Sequence, residues 1–317
     1  LAWLGAGEWA LVAGQGAAQV ATVATLWSLA RWRPRWAWDR AAAARMLPFG
    51  SKVCAESLLG WGVGSADVLL MARSLPSELV GGYRMAQFVG LWPPNNLTRQ
   101  LSRVAFSATS RIQDDMDRVR AGFRRAIRAV AVGILPIGAV LVVSAGDLVP
   151  AFLGPRWVES VPMVRVLGVA GMFFSVVGLV SPVYRGLGRV EIMPRFMTVR
   201  LVVSVPVFYV ASGHGAMAVC WAALGLVMLF APVNLFICCR VLSLSFRALG
   251  KDLAAGLLAA VAAAAGYALF QHFAGPVLAR PAPRFLGGAL ASAVAWLLFL
   301  KVALPADLAE IVSLVRN

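Results

Sequence analysis

Charge is scarce in this chain. Only 14% of its 317 residues are Asp, Glu, Lys or Arg, 60% are hydrophobic, and the mean hydropathy is +0.79. Soluble domains carry about 25% charged residues, and a buried core does not account for the difference. Cysteine occurs four times and histidine twice. Cys54, Cys220, Cys238 and Cys239 lie in apolar stretches without metal-ligand spacing, so they read as small apolar side chains. His214 and His272 are lone, in loops on opposite sides. The sequence also lacks a phosphate-binding loop, a nucleophile–base arrangement and a long basic tract. It therefore gives no reason to expect an enzyme, a metal, a cofactor or a nucleic-acid partner.

What is present is apolar runs of about 20 residues, the length that crosses a bilayer. Nine candidate helices emerge: 9–30, 53–72, 82–106, 127–145, 164–183, 196–211, 216–238, 253–273 and 285–304. The formal charge is +15, and its distribution reads as topology. One set of alternate loops holds Arg31, Arg33, Arg35, Arg40, Arg45, Lys52, Arg111, Arg118, Arg120, Arg124, Arg125 and Arg128. It continues through Arg185, Arg189, Arg195, Arg240, Arg247, Lys251 and Arg316, while the opposite set has only Arg73, Arg156, Arg280 and Arg284. The rich side is expected in the cytoplasm, together with the C-terminus. The expected fold is an all-α, multi-pass protein of the cytoplasmic membrane with membrane lipids as its surroundings. Asp114 and Asp115 mark a helix start before an Arg-rich turn pattern. Interior prolines Pro93, Pro94, Pro136, Pro206 and Pro232 predict kinks that neighbours or water must re-satisfy.

Polar residues at membrane depth carry the functional expectations. Gln87, Asn95, Arg99 and Arg103 fall at multiples of four on one helix and form a candidate cavity wall for a pyrophosphate or sugar, Arg suiting a diphosphate by its planar fork. Arg99 and Arg103 equally suit snorkelling to the interface. Asp67 needs a partner, and Arg84 is the candidate, either as a static interhelix pair or as a coupling site. Lys52 and Glu56, four apart, suit a local pair at the cytoplasmic mouth. Arg165, Glu191 and Arg200 sit near expected helix ends, where snorkelling is the default.

Several local strings carry a resemblance. Gly7-Glu8-Trp9-Ala10-Leu11-Val12 with Arg31-Trp32-Arg33-Pro34, then Phe49-Gly50, Asp67, Gly82-Tyr83 with Ala86 and Pro93, come first. Arg103-Val104-Ala105-Phe106 leading to Ser110-Arg111-Ile112-Gln113-Asp114-Asp115, Leu153-Gly154-Pro155-Arg156-Trp157 and Arg185-Gly186-Leu187-Gly188-Arg189 follow. Together they resemble the Wzx-type polysaccharide flippases of the multidrug/oligosaccharidyl-lipid/polysaccharide exporter superfamily. Ser107 stands where a proline is usual. The resemblance implies helices six to fourteen of about fourteen in a two-lobed, alternating-access exporter. Residues 1–38 would be the last helix of the N-terminal lobe, 39–250 the C-terminal six-helix lobe and 251–317 two additional helices. The implied cargo is a polyprenyl-diphosphate-linked oligosaccharide for surface polysaccharide, with a polysaccharide polymerase and glycosyltransferases as implied partners. A drug or metabolite exporter, a lipid II flippase and, from another class, a membrane polysaccharide polymerase or ligase are the rivals.

Overall fold

The computed structural model describes Gly7 and residues 9–30, 39–278 and 280–305, apart from the side chains of Leu11 and residues 92–95. The basic residues Arg31, Arg33, Arg35 and Arg316 lie outside the described residues. All regular structure among the described residues is helical: α1 (Trp9–Leu29), α2 (Arg40–Ser74), α3 (Ser77–Arg111), α4 (Met116–Phe152), α5 (Val161–Val177), α6 (Val180–Gly186), α7 (Ile192–Ser212), α8 (Ala216–Leu242), α9 (Phe246–Phe273) and α10 (Pro281–Ala303). Seven stretches are long and apolar enough to cross a membrane: α2, α4, Pro155–Gly186 (which holds α5 and α6), α7, α8, α9 and α10. The protein is thus an all-α, multi-pass membrane protein. The other two expected spans, α1 and α3, fall outside this set. For α3 the reason is visible in its sequence, where Gln87, Pro93, Pro94, Asn95 and Asn96 interrupt the apolar run between Arg84 and Arg99.

The chain divides into two compact units, Leu1–Pro48 and Phe49–Asn317. In the first, Thr22 and Thr25 return their hydroxyls to carbonyls four residues back, at 2.7 and 2.8 Å. This local bond satisfies a polar group without a tertiary partner. The Asp39 carboxylate accepts from the backbone N–H groups of Ala41 and Ala42, so it caps the start of α2.

In the second unit, short connections make packed neighbours of α3 and α4, α4 and α5, α7 and α8, and α9 and α10. α4 lies at the centre, packed against α5, α9 and α10, while α5 also packs on α3 and α8. Its start is where the acidic pair predicts it: Asp115 accepts from Arg118 N–H at 3.1 Å and closes the first turn. The expected span 164–183 lies within the single stretch Pro155–Gly186, which is interrupted at Gly178 and Leu179 between α5 and α6. α3 lies along both pieces through glycines that permit close approach. A Cβ on Gly90 would stand 2.9 Å from the Gly168 nitrogen, one on Gly178 would overlap Thr98, and one on Gly186 would stand 2.8 Å from Thr109. Thr98 and Ser102 add bonds to the carbonyls of Ser175 and Gly178 at 3.4 and 3.2 Å. These contacts form a seam running from residue 90 to residue 109 of α3.

Four carboxylates inside this unit show how the helices are fastened. Glu56 is 6% exposed; it accepts from Ser181 and pairs with Arg185 at 3.0 Å. Arg185 stands in the last turn of α6, which is closed by Gly188 at φ +71° and by Arg189 N–H bonding back to Tyr184. Asp252 pairs with Arg124 at 3.0 Å and Arg128 at 3.4 Å, joining α9 to α4. Asp67 and Asp147 are held differently, by one Tyr and one Gln each. Tyr83 and Gln87 of α3 donate to Asp67 Oδ2 at 2.7 and 2.6 Å. Tyr267 and Gln271 of α9 donate to Asp147 Oδ2, both at 2.6 Å. In both triads Tyr and Gln are four apart on one helix, one turn of a shared face.

Candidate functional site: a basic cleft and an inner cavity

α3 supplies one long wall of the candidate site. Its face toward α2 and α5 borders a cleft of about 790 Å³, lined by Gly60 and Gly64 of α2, Phe174 of α5, and Arg84, Gln87, Asn96 and Arg99 among α3 residues. Arg84 and Arg99 are exposed and Gln87 is half-buried. From Arg84 to Arg99 the wall extends about 22 Å at 1.5 Å per residue, most of the depth of a bilayer. Among the described residues, no acidic residue lines this cleft. Two guanidinium groups on one wall can each hold an anionic group.

Behind it lies a second cavity of about 230 Å³, enclosed by α2, α3, α5, α7 and α8. Asp67 and Gln87 border it on one side, Arg200 and Ser204 of α7 on another. Gly60, Gly64, Gln87, Leu91 and Phe174 line both spaces. The Arg200 guanidinium sits over the Phe174 ring, 5.0 Å from its centroid.

The structure sorts the sequence-predicted residues. Gln87 and Arg99 share the cleft, as their spacing predicts. Asn95 lies among the residues whose side chains are not described, and the next residue, Asn96, lines the cleft instead. Arg103 is exposed and lies outside the lining. Asp67 takes its hydrogen bonds from Tyr83 and Gln87 rather than from Arg84. Arg84 reaches Gln87 Oε1 at 3.5 Å, so it joins the group through the amide. Glu56 is paired with Arg185 and Ser181, while its expected partner Lys52 is exposed. The cause is burial: Glu56 points inward toward α6, and Lys52, one turn earlier, does not share that environment.

Sequence reasoning missed Arg200, Ser204 and Tyr83. Arg200 was assigned to a helix end because α7 was expected to begin at Phe196. The helix begins at Ile192, which places Arg200 about 12 Å inside it. Tyr83 carried a signal, four residues before Gln87 and opposite an unpartnered Asp67. Ser204 carried none.

Comparisons with known proteins bear on this geometry. A family model described as "Polysaccharide biosynthesis protein" matches residues 1–162. The chain is 29% identical over 175 residues to the lipopolysaccharide biosynthesis protein WzxC of Escherichia coli (strain K12), covering 55% of this chain and 36% of the relative. It is 28% identical over 165 residues to an uncharacterized membrane protein in the cps region of Klebsiella pneumoniae, covering 52% and 34%. It is 22% identical over 162 residues to the teichuronic acid biosynthesis protein TuaB of Bacillus subtilis (strain 168), covering 51% and 34%. The match thus spans about a third of the length of these curated relatives. No solved structure matches the chain.

Proposed function

The chain belongs to the polysaccharide biosynthesis protein family, and from that membership we propose that it forms part of a flippase for polyprenyl-diphosphate-linked oligosaccharide. The cleft lined by Arg84 and Arg99, with no acidic residue among the described lining residues, carries this reading. A diphosphate is costly to bring into a bilayer, and guanidinium donors on the wall lower that cost. The names of WzxC and TuaB, both biosynthesis proteins of surface polymers, support the same direction. We place the protein in the cytoplasmic membrane with its C-terminus inside, acting as a carrier rather than an enzyme. A polymerase and glycosyltransferases would work beside it. Residues 39–250 would form the C-terminal six-helix lobe and residues 251–317 two additional helices.

A drug or metabolite exporter of the same superfamily would suit a cleft with acidic groups facing a cationic cargo. The lining here has the opposite sign.

The test uses full-length protein in cells lacking their own copy. Arg99→Ala is expected to leave protein abundance unchanged and to reduce surface polysaccharide at least tenfold. Complete lipid-linked repeat units should accumulate, measured by mass spectrometry. Normal export by this variant would remove the cleft from the reading.

A further inference from the structure

We propose that the inner cavity is a subsite for one uncharged sugar ring of the carried glycan. This inference rests on the flippase reading above and adds the chemistry of the cargo. It begins from polar atoms left without partners. The Ser204 hydroxyl, in a residue 1% exposed, has no hydrogen-bond partner among the described residues, and neither has Arg200 Nε. Buried polar atoms are nearly always paired, and an unpaired one costs stability. Both residues line the same 230 Å³ space, one turn apart on α7. Across it stands the Asp67 carboxyl, whose Oδ2 is taken by Tyr83 and Gln87 while Oδ1 accepts only from its neighbour Val68 N–H.

The combination has the character of a sugar site. A hydroxyl-rich ring offers donors and acceptors on its edge and C–H groups on its faces. The cavity offers a carboxyl acceptor, guanidinium and hydroxyl donors, and apolar walls from Leu167, Met197 and Leu226. Small-ligand sites are built from such mostly apolar walls with a few convergent polar groups. One carboxyl and one guanidinium leave the lining without excess charge, so an acidic sugar would confront Asp67 and an amino sugar would confront Arg200. The size is below the roughly 300–1,000 Å³ of pockets for drug-sized ligands, which points to a single ring.

The way in is also present. Gly60 and Gly64, four apart on α2, line both the cleft and the cavity. A Cβ added at either meets nothing within 4 Å, so these glycines border open space rather than a packed neighbour. Phe174 stands at the same boundary with Arg200 across its face. The diphosphate would remain with Arg84 and Arg99 while one ring turns past the glycines.

The experiment measures binding to purified full-length protein in lipid nanodiscs. Two probes are used: the complete lipid-linked repeat unit extracted from export-deficient cells, and bare polyprenyl diphosphate. Ser204→Ala is expected to weaken binding of the glycan-bearing lipid about tenfold and to leave the bare diphosphate unaffected. Gly64→Val, which narrows the passage, should have the same selectivity, and Arg99→Ala should weaken both probes. Unchanged glycan binding in both Ser204→Ala and Gly64→Val would make the cavity a water-filled void and overturn the subsite, leaving the flippase reading intact. Equal weakening of both probes by Ser204→Ala would also overturn it. Wild-type protein that binds neither probe would remove the flippase reading itself, and the subsite with it.

Discussion

The indole Nε1 of Trp296 in α10 donates to the carbonyl oxygen of Val132 in α4 at 3.1 Å. Val132 lies four residues before Pro136, and proline has no N–H to give it. The neighbouring helix therefore supplies the bond that the kink removes, as a bilayer interior requires.

Trp296→Phe is expected to lower stability by about 1–2 kcal/mol through the orphaned carbonyl. In a Pro136→Ala background the helix makes its own bond, so the same substitution should cost much less. A double-mutant cycle from denaturant unfolding in detergent measures the difference. Equal costs in both backgrounds would dissociate the two residues.

Glu56 and Arg185 should behave as a pair. Arg185→Ala leaves the carboxylate with Ser181 alone and is expected to cost about 1–3 kcal/mol, with lower abundance in the membrane. The exchange Glu56→Arg with Arg185→Glu should restore more protein than either half does. Immunoblotting of membrane fractions decides it.

In each Tyr–Gln–Asp triad both donors address the same carboxylate oxygen. Tyr267→Phe and Gln271→Leu are therefore expected to cost about 1–2 kcal/mol singly and less than the sum together. Tyr83→Phe and Gln87→Leu should repeat the pattern at Asp67. Additive costs at both sites would show that the shared oxygen does not couple them.

Orientation can be read by labelling in a background with the four cysteines replaced. Arg118 at the start of α4, with a side chain 76% exposed, and His214 in the turn after α7 lie at opposite ends of their helices. Cysteines at these positions should react with an impermeant reagent from opposite sides of the membrane. The buried Ser212, 1% exposed, would not report reliably although it is only two residues away.

Much of the fold is legible in the sequence because apolar length and basic loops act locally. α8 begins at Ala216 and α9 ends at Phe273, where charge and glycine place them, whereas α8 runs four residues further and α9 begins seven residues earlier than expected. Of the expected wall of α3, Gln87 and Arg99 line the cleft, while Arg103, one turn further on, lies outside it. The fastening of Asp147 by Tyr267, or of Asp252 by Arg124, is not legible, because more than a hundred residues separate the partners. Arg200 reads as interfacial from the sequence because the helix start is displaced by about one turn, from Phe196 to Ile192, which places its guanidinium about 12 Å inside α7.

The seam along α3 has a mechanical consequence. Three glycine approaches and two hydroxyl bonds tie this helix to α5 and α6 over 19 residue steps, about 28 Å. Sliding one helix past the other would drive Thr98 and Thr109 into backbone that has no room for them. α3, α5 and α6 are therefore expected to move together, which keeps Asn96, Arg99 and Phe174 at fixed spacing while other helices flex.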